Sequence, residues 1–430
     1  MKEKLMTIAD FLRKNVKADD YSISISYTNT HYTRFAQNSI TQHMQGEYFA
    51  VYYQCIKDNK RGSASGRQMD EESLIEMLRK AETIAEQNTP DPNIEKSLEK
   101  SELIKVDNYY ATIEKIDTAK LIDMVKQCIV FAKSKEAMLS GIISKEFTEH
   151  IYMTGNGFLA YDRVSNLDMS MTLRKDHIET KVSYGSKNPD TLNLDKLLNQ
   201  LGSQFDALKE IKPMDYETLP VILRPQAVLN LFWFLIWLFD RQAADENLTP
   251  FTDLIGVTDK ELMAFGEKFT MYSTLKDSDL MANPFTSNCV SKDISWIKNG
   301  VIENMLTSRY WAQKNNLEPS SLYNLVIAGE DTSEEEMMKM VPRGLIVNNL
   351  WYIRLNDRKS ADLTGMTRDG VLYFENGKIK HAVNNFRFNE QIHNLTKRIL
   401  ALGKSIQINA ADKVPTILFD NFTFVDKTNF

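Results

Sequence analysis

Histidine and cysteine, the side chains that most readily hold a transition metal or move a proton near neutral pH, are few in this chain and poorly spaced for either task. The six histidines are His31, His43, His150, His177, His381 and His393. No two stand four residues apart, the interval that puts two imidazoles on one helical face. Cys55, Cys128 and Cys289 lie far from one another with no C-x-x-C pair, which points to free thiols in a reducing compartment rather than a disulfide framework. No G-x-S-x-G elbow presents a serine nucleophile. Gly62-Ser-Ala-Ser-Gly66 is followed by no G-K-[ST], so it reads as a strand edge or tight turn rather than a phosphate loop. Asp277, Asp279 and Asp293 read as solvated loop carboxylates, and Glu334-Glu-Glu336 as the first turn of a helix capped by Thr332 or Ser333. Arg354, Arg358, Arg368 and Arg387 are the remaining cluster. They could clamp a peptide carboxylate bidentately, or simply pair with Asp357, Asp362, Asp369 and Glu390.

The element expected to organise the chain runs from Ala227 to Phe239, an apolar stretch broken only by Asn230 and flanked by Arg224-Pro225 and Asp240-Arg241. It is too short to span a bilayer, which takes about 20 residues. Its composition predicts a helix buried on every side at the centre of a large domain. Upstream, residues 1–102 and 103–215 each read as helix, meander and helix. In the first, strand-like runs cover Tyr21–Tyr27, Tyr32–Ala36, Ile40–Met44 and Tyr48–Ile56, with turns at Asn38-Ser39, Gln45-Gly46 and Asp58-Asn59. In the second, a helix over Thr118–Lys133 precedes several short strands, with Thr154-Gly-Asn-Gly157 as a hairpin turn, and Leu194–Ile211 returns to helix. Residues 216–430 are rich in strand signals, including a long extended run over Gly344–Leu355 and a hairpin over Val371–Ile379. A helix is expected after Asn385–Glu390, reaching Leu402. The fold class is therefore α+β: N-terminal helix–meander–helix modules followed by a β-rich C-terminal domain built around a buried central helix.

Composition narrows the function. The chain has 430 residues, 43% apolar and 26% charged, with a net charge of −6, which is ordinary for a globular protein. With that charge and no Lys/Arg-rich block, nucleic acid is not expected as a main partner. Neither a membrane span nor a signal-like apolar N-terminus is visible, so a cytoplasmic protein is expected.

Several short blocks after the apolar helix follow one another in a telling order. They are Ile297-Lys-Asn-Gly-Val301, Ser308-Arg-Tyr310, Ala328-Gly-Glu-Asp-Thr-Ser-Glu-Glu335, Gly344-Leu-Ile-Val347, Thr364-Gly365, Glu375-Asn-Gly-Lys-Ile379 and Asn385-Phe-Arg-Phe-Asn-Glu390. Together they resemble the TldD/PmbA (TldD/TldE) family, with a looser match in the N-terminal half through Thr33-Arg-Phe35 and Gly62-Ser-Ala-Ser65. The resemblance implies zinc peptidases that carry H-E-x-x-x-H on the central helix, with a later cysteine completing the metal site. The glutamate of such a motif activates a zinc-bound water. Here the motif positions fall approximately on Phe232, Trp233 and Trp237, and no cysteine follows Cys289. An aromatic ring cannot ligate zinc and is suited to core packing.

The resemblance then implies a TldE-like subunit with no catalytic or metal-binding residue of its own. Zinc would belong to a TldD-like peptidase partner in a heterodimer, and the pair would act on unfolded peptides. A peptide held as an added β-strand would meet the Gly344–Leu355 run and the Thr364-Gly365 loop, making Leu350, Tyr352, Thr364, Gly365, Arg368 and Arg387 the candidate contacts. Two alternatives stand beside this reading: a stand-alone homodimer that binds peptides or a small molecule, and a peptidase with a non-standard site.

Overall fold

The computed structural model describes residues 1–428. The first module comprises α1 (Lys2–Asn15), β1 (Asp20–Ala36), β2 (Ser39–Lys57), β3 (Lys60–Gly66) and α2 (Glu71–Gln87). The second comprises α3 (Thr118–Ser134), β4 (Met138–Thr154), β5 (Leu159–Lys175), β6 (Ile178–Ser186) and α4 (Leu194–Ala207). Their strands form one antiparallel sheet in the order β3-β2-β1-β4-β5-β6, joined between modules by the β1–β4 ladder. Side chains alternate between the two faces of a strand. Ile23, Ile25, Val51, Tyr53, Ile151 and Met153 point to the face covered by α1 and α2, and Leu139, Ile143, Met169 and Met171 continue it beneath α3 and α4. The opposite face carries mainly serine, threonine, tyrosine and glutamine.

These strands are longer than the sequence pattern indicates. Gln45 and Gly46, expected as a turn, lie inside β2 opposite His31 and Thr30, and the breaks expected within β4 and β5 are likewise absent. The ladder partner, which local sequence cannot supply, holds polar residues extended. The expected turns at Asn38 and at Asp58-Asn59 do form, with these residues at positive φ.

The C-terminal region begins with β7 (Thr218–Leu223) and α5 (Pro225–Ile236), followed by α6 (Arg241–Asp245), β8 (Met271–Ser273), β9 (Ile294–Lys298), β10 (Val301–Ile302), α7 (Arg309–Asn315), β11 (Leu325–Ile327) and α8 (Glu334–Met340). Then come β12 (Arg343–Asp357), β13 (Asp362–Glu375), β14 (Lys378–Val383), β15 (Asn385–Gln391), α9 (Ile392–Thr396), β16 (Ile399–Leu402), β17 (Ile406–Gln407), β18 (Asp412–Val414) and β19 (Ile417–Thr428). The ladders β7–β12, β12–β13, β13–β15, β15–β19 and β19–β7 close on themselves. Alternation divides the strands: Val221, Leu345 and Phe419 join the core around α5, while Ile222, Ile346 and Leu418 pack towards α3 and α4. Short strands form a second sheet in the order β10-β9-β8-β11-β18-β17.

Two expectations need correcting. The helix expected up to Leu402 stops at Thr396, because Ile399–Leu402 pairs with β19 instead. And α5 is not buried on every side. Ala227, Val228, Leu231, Phe232 and Leu235 face the core, but Trp233 is 39% exposed and Trp237, just past the last helical residue, is 71% exposed.

Candidate functional site

Gln226, Asn230, Trp233 and Trp237 recur at steps of four, three and four residues, one stripe of a helix. The stripe lies beside β12, and polar side chains fix the two together. Gln226 Nε2 donates to Asn230 Oδ1 at 3.0 Å, and Asn230 Nδ2 donates to Asn349 Oδ1 at 2.7 Å and to the Leu350 carbonyl at 3.0 Å. Asn349 Nδ2 in turn donates to Asp369 Oδ2 at 2.6 Å. At the start of α5, Arg224 forks onto Glu334 at 2.6 and 2.8 Å and donates to Asn348 Oδ1 at 2.6 Å. Burial pushes the Asp369 carboxyl above its usual range, against the opposing donation from Asn349. Trp233 Nε1 reaches Asp412 Oδ2 at 3.2 Å, so its indole stays fixed although half its surroundings are open.

Past Val347 the β12 edge facing away from β13 has no strand partner among the described residues, because β7 pairs only with Leu345–Val347. Along this open edge the ladder with β13 shifts register between Trp351 and Arg354, leaving Tyr352 and Ile353 opposite Gly365. Such a bulge re-aims side chains. Tyr352 takes φ 53°, the left-handed region in which a bulky residue is strained. Trp351 and Tyr352 are both about half exposed, and their rings lie 5.7 Å apart. Arg368 sits over Trp351 at 4.2 Å and Arg354 over Tyr352 at 4.1 Å, cation–π contacts that hold both rings in place. Beyond Trp351 a depression of about 760 Å³ opens towards Arg174–Glu179.

The candidate contacts separate accordingly. Arg368 lines that depression, and Tyr352 is half exposed on the β12 bulge. Leu350 is 1% exposed, with its side chain in the core and its carbonyl accepting from Asn230. Gly365 is buried; a Cβ there would sit 2.6 Å from the Phe388 ring, so close strand packing is what demands glycine. The half-buried Thr364 donates its hydroxyl to the Phe388 carbonyl at 3.1 Å, and Arg387 lies on β15 opposite Met366. Of the carboxylates weighed as arginine partners, Asp369 lies 3.7 Å from Arg368, which also pairs with Glu179, while Glu390 pairs with Arg398. Sequence reasoning missed Trp351, Gln226 and Asn230. The last two were visible as the only polar residues in α5, four apart and in line with both tryptophans.

The donor set does not fit a zinc ion. Phe232 is fully buried and stacked on Phe269 at 4.8 Å. Trp233 and Trp237 present indoles, and their neighbours on the stripe are amides. Among the described residues no three His, Cys, Asp or Glu side chains gather closely enough to hold a metal.

Comparison with known proteins places this geometry. The model of the PmbA/TldA metallopeptidase C-terminal domain matches residues 216–426. The chain is similar to the metalloprotease PmbA of Escherichia coli O157:H7, at 22% identity over 389 residues covering 86% of this chain and 83% of that one. Its fold is similar to TldE from Thermococcus kodakarensis, with TM-score 0.87, 17% identity and coverage of 98% and 100% of the two chains. A Thermotoga maritima protein described as a candidate modulator of a DNA gyrase superposes with TM-score 0.83 at 19% identity, over 99% and 100% of the chains.

Proposed function

Because the chain belongs to the TldD/PmbA family and its central helix offers no zinc ligand, we propose that it is a non-catalytic, TldE-like subunit of a metallopeptidase complex that processes unfolded peptides. The observation carrying this reading is that α5 bears no imidazole, carboxylate or thiol, with aromatic rings at the approximate motif positions Phe232, Trp233 and Trp237. Zinc, and the activation of water, belong to a TldD-like partner in a heterodimer. This chain supplies the wall of the peptide chamber.

The open edge of β12 suits that role. An extended peptide pairing with it satisfies its own backbone, a mode of binding that tolerates varied sequence. Trp351, Tyr352, Trp233 and Trp237 offer apolar area to whatever side chains arrive, and Arg368 a cation. Free, buried cysteines agree with a reducing, cytoplasmic setting, and the net charge of −6 disfavours nucleic acid. No helix among the described residues is long and apolar enough to cross a membrane.

The test is capture from the native cell with a tagged chain. The expected result is a stoichiometric homologue carrying H-E-x-x-x-H, with cleavage of an unstructured peptide by the pair and none by this chain alone. Recovery only as a homodimer that binds the peptide uncleaved would favour a stand-alone binding protein.

A further inference from the structure

The polar face of the N-terminal sheet is not wholly open. The loop Asn283–Asn288 and Arg309, at the start of α7, cover part of it and enclose a cavity of about 740 Å³. Its floor comes from alternate residues on adjacent strands: Ser24 on β1, Tyr52 on β2, and His150 and Tyr152 on β4. Phe285, from the covering loop, stacks on His150 at 6.2 Å with 11° between the rings and lies 5.5 Å from Tyr152. Ser24 Oγ and His150 Nε2 share a hydrogen bond of 2.8 Å. Burial holds the His150 imidazole below its usual pKa, so it stays neutral near pH 7. The site lies apart from α5 and β12, between the N-terminal sheet and a C-terminal loop, a common setting for small-molecule sites.

Arg309 decides the ligand class. Its guanidinium is half-buried, has five donors, and uses them in one long bond of 3.5 Å to the Ser97 carbonyl. Arg61 and Lys96 also border the cavity, and none of these three cations is ion-paired among the described residues. Glu95 and Asp162 are the carboxylates on the lining. Asp162 is occupied by the Arg163 backbone N–H, and three cations against two carboxylates leave a cationic excess around an aromatic floor.

We propose that this cavity binds a small carboxylate with an apolar, ring-sized body, its anion on Arg309 and its body on Phe285 and Tyr152. A planar fork matches a carboxylate bidentately, and the volume lies within the range of about 300–1,000 Å³ typical of ligand pockets. The inference does not rest on the peptidase-partner reading.

Titration calorimetry of the full chain with 3-phenylpropionate and 3-phenylpropionamide tests it. The acid is expected to bind and the amide at least ten-fold more weakly. Arg309→Gln should remove that preference while leaving the melting temperature unchanged. Should Arg309→Gln fail to fold, Arg61→Gln on the exposed rim should still weaken the acid several-fold. No binding of the acid at millimolar concentration, equal binding of acid and amide, or unchanged affinity in a folded Arg309→Gln overturns the proposal.

Discussion

At the scale of single residues, the groove and the core make opposite demands on aromatic side chains. Tyr352 holds a left-handed backbone that costs about 1–2 kcal/mol in a non-glycine residue, yet its ring is half exposed and touches only the surface side chains Arg354 and Trp351. Strain of this kind with no core packing in return fits a residue kept for binding. Tyr352→Gly is therefore expected to keep or raise the melting temperature and to lower affinity for an unstructured peptide about ten-fold, read by calorimetric melting and fluorescence anisotropy. His393 tests the core. Burial first, and then the charge of Lys397, bring its pKa from 6.5 down to about 4. A group whose folded pKa is depressed contributes stability above its unfolded pKa and loses it as pH falls through the folded one. Denaturant midpoints should therefore drop between pH 6.5 and 4, and His393→Phe, facing Phe251 at 5.9 Å, should flatten that drop. The sequence showed that Phe232, Trp233 and Trp237 could not ligate metal, but hydrophobicity alone could not say which of them was buried. Indoles carry a polar N–H and tolerate a wet edge, and in Trp233 that N–H finds Asp412.

At the scale of elements, α5 depends on its attachment to β12 and α8. Removing the Arg224 guanidinium strands a Glu334 carboxylate that is about a quarter exposed and strips Asn348 of its donor. Arg224→Met should cost about 2 kcal/mol in urea unfolding, less than for a fully buried pair. The β13–β15 contact is a second fixed point. Gly365→Val would drive a branched side chain into Phe388 and should cost about 1–3 kcal/mol by overpacking. Both losses should appear as lower midpoints with an unchanged denaturant slope. The order of elements was legible because apolar alternation and turn residues mark strands locally. Strand lengths were not, since Gln45-Gly46 stays extended only because His31 and Thr30 lie across the ladder. The same holds for Ile399–Leu402, whose helical pattern yields to pairing with β19.

At the scale of the whole molecule, one six-stranded sheet spans both N-terminal modules, and a closed circuit of strands cradles α5. The ordered blocks between Ile297 and Glu390 made the family legible, whereas the free edge of β12 depended on knowing where β7 stops. Trp233 and Trp237 on α5, and Trp351 and Tyr352 on β12, are large aromatic side chains left 39–71% exposed, the kind of residue that a partner or ligand covers. In the function proposed above, catalysis lives in a partner subunit. The most direct measurement is the zinc content of the purified chain alone, after equilibration with zinc and removal of the excess, alongside its cleavage of an unstructured peptide with and without chelator. The account predicts well under one-tenth of a zinc per chain and no chelator-sensitive cleavage. One zinc per chain with cleavage that a chelator abolishes would contradict it.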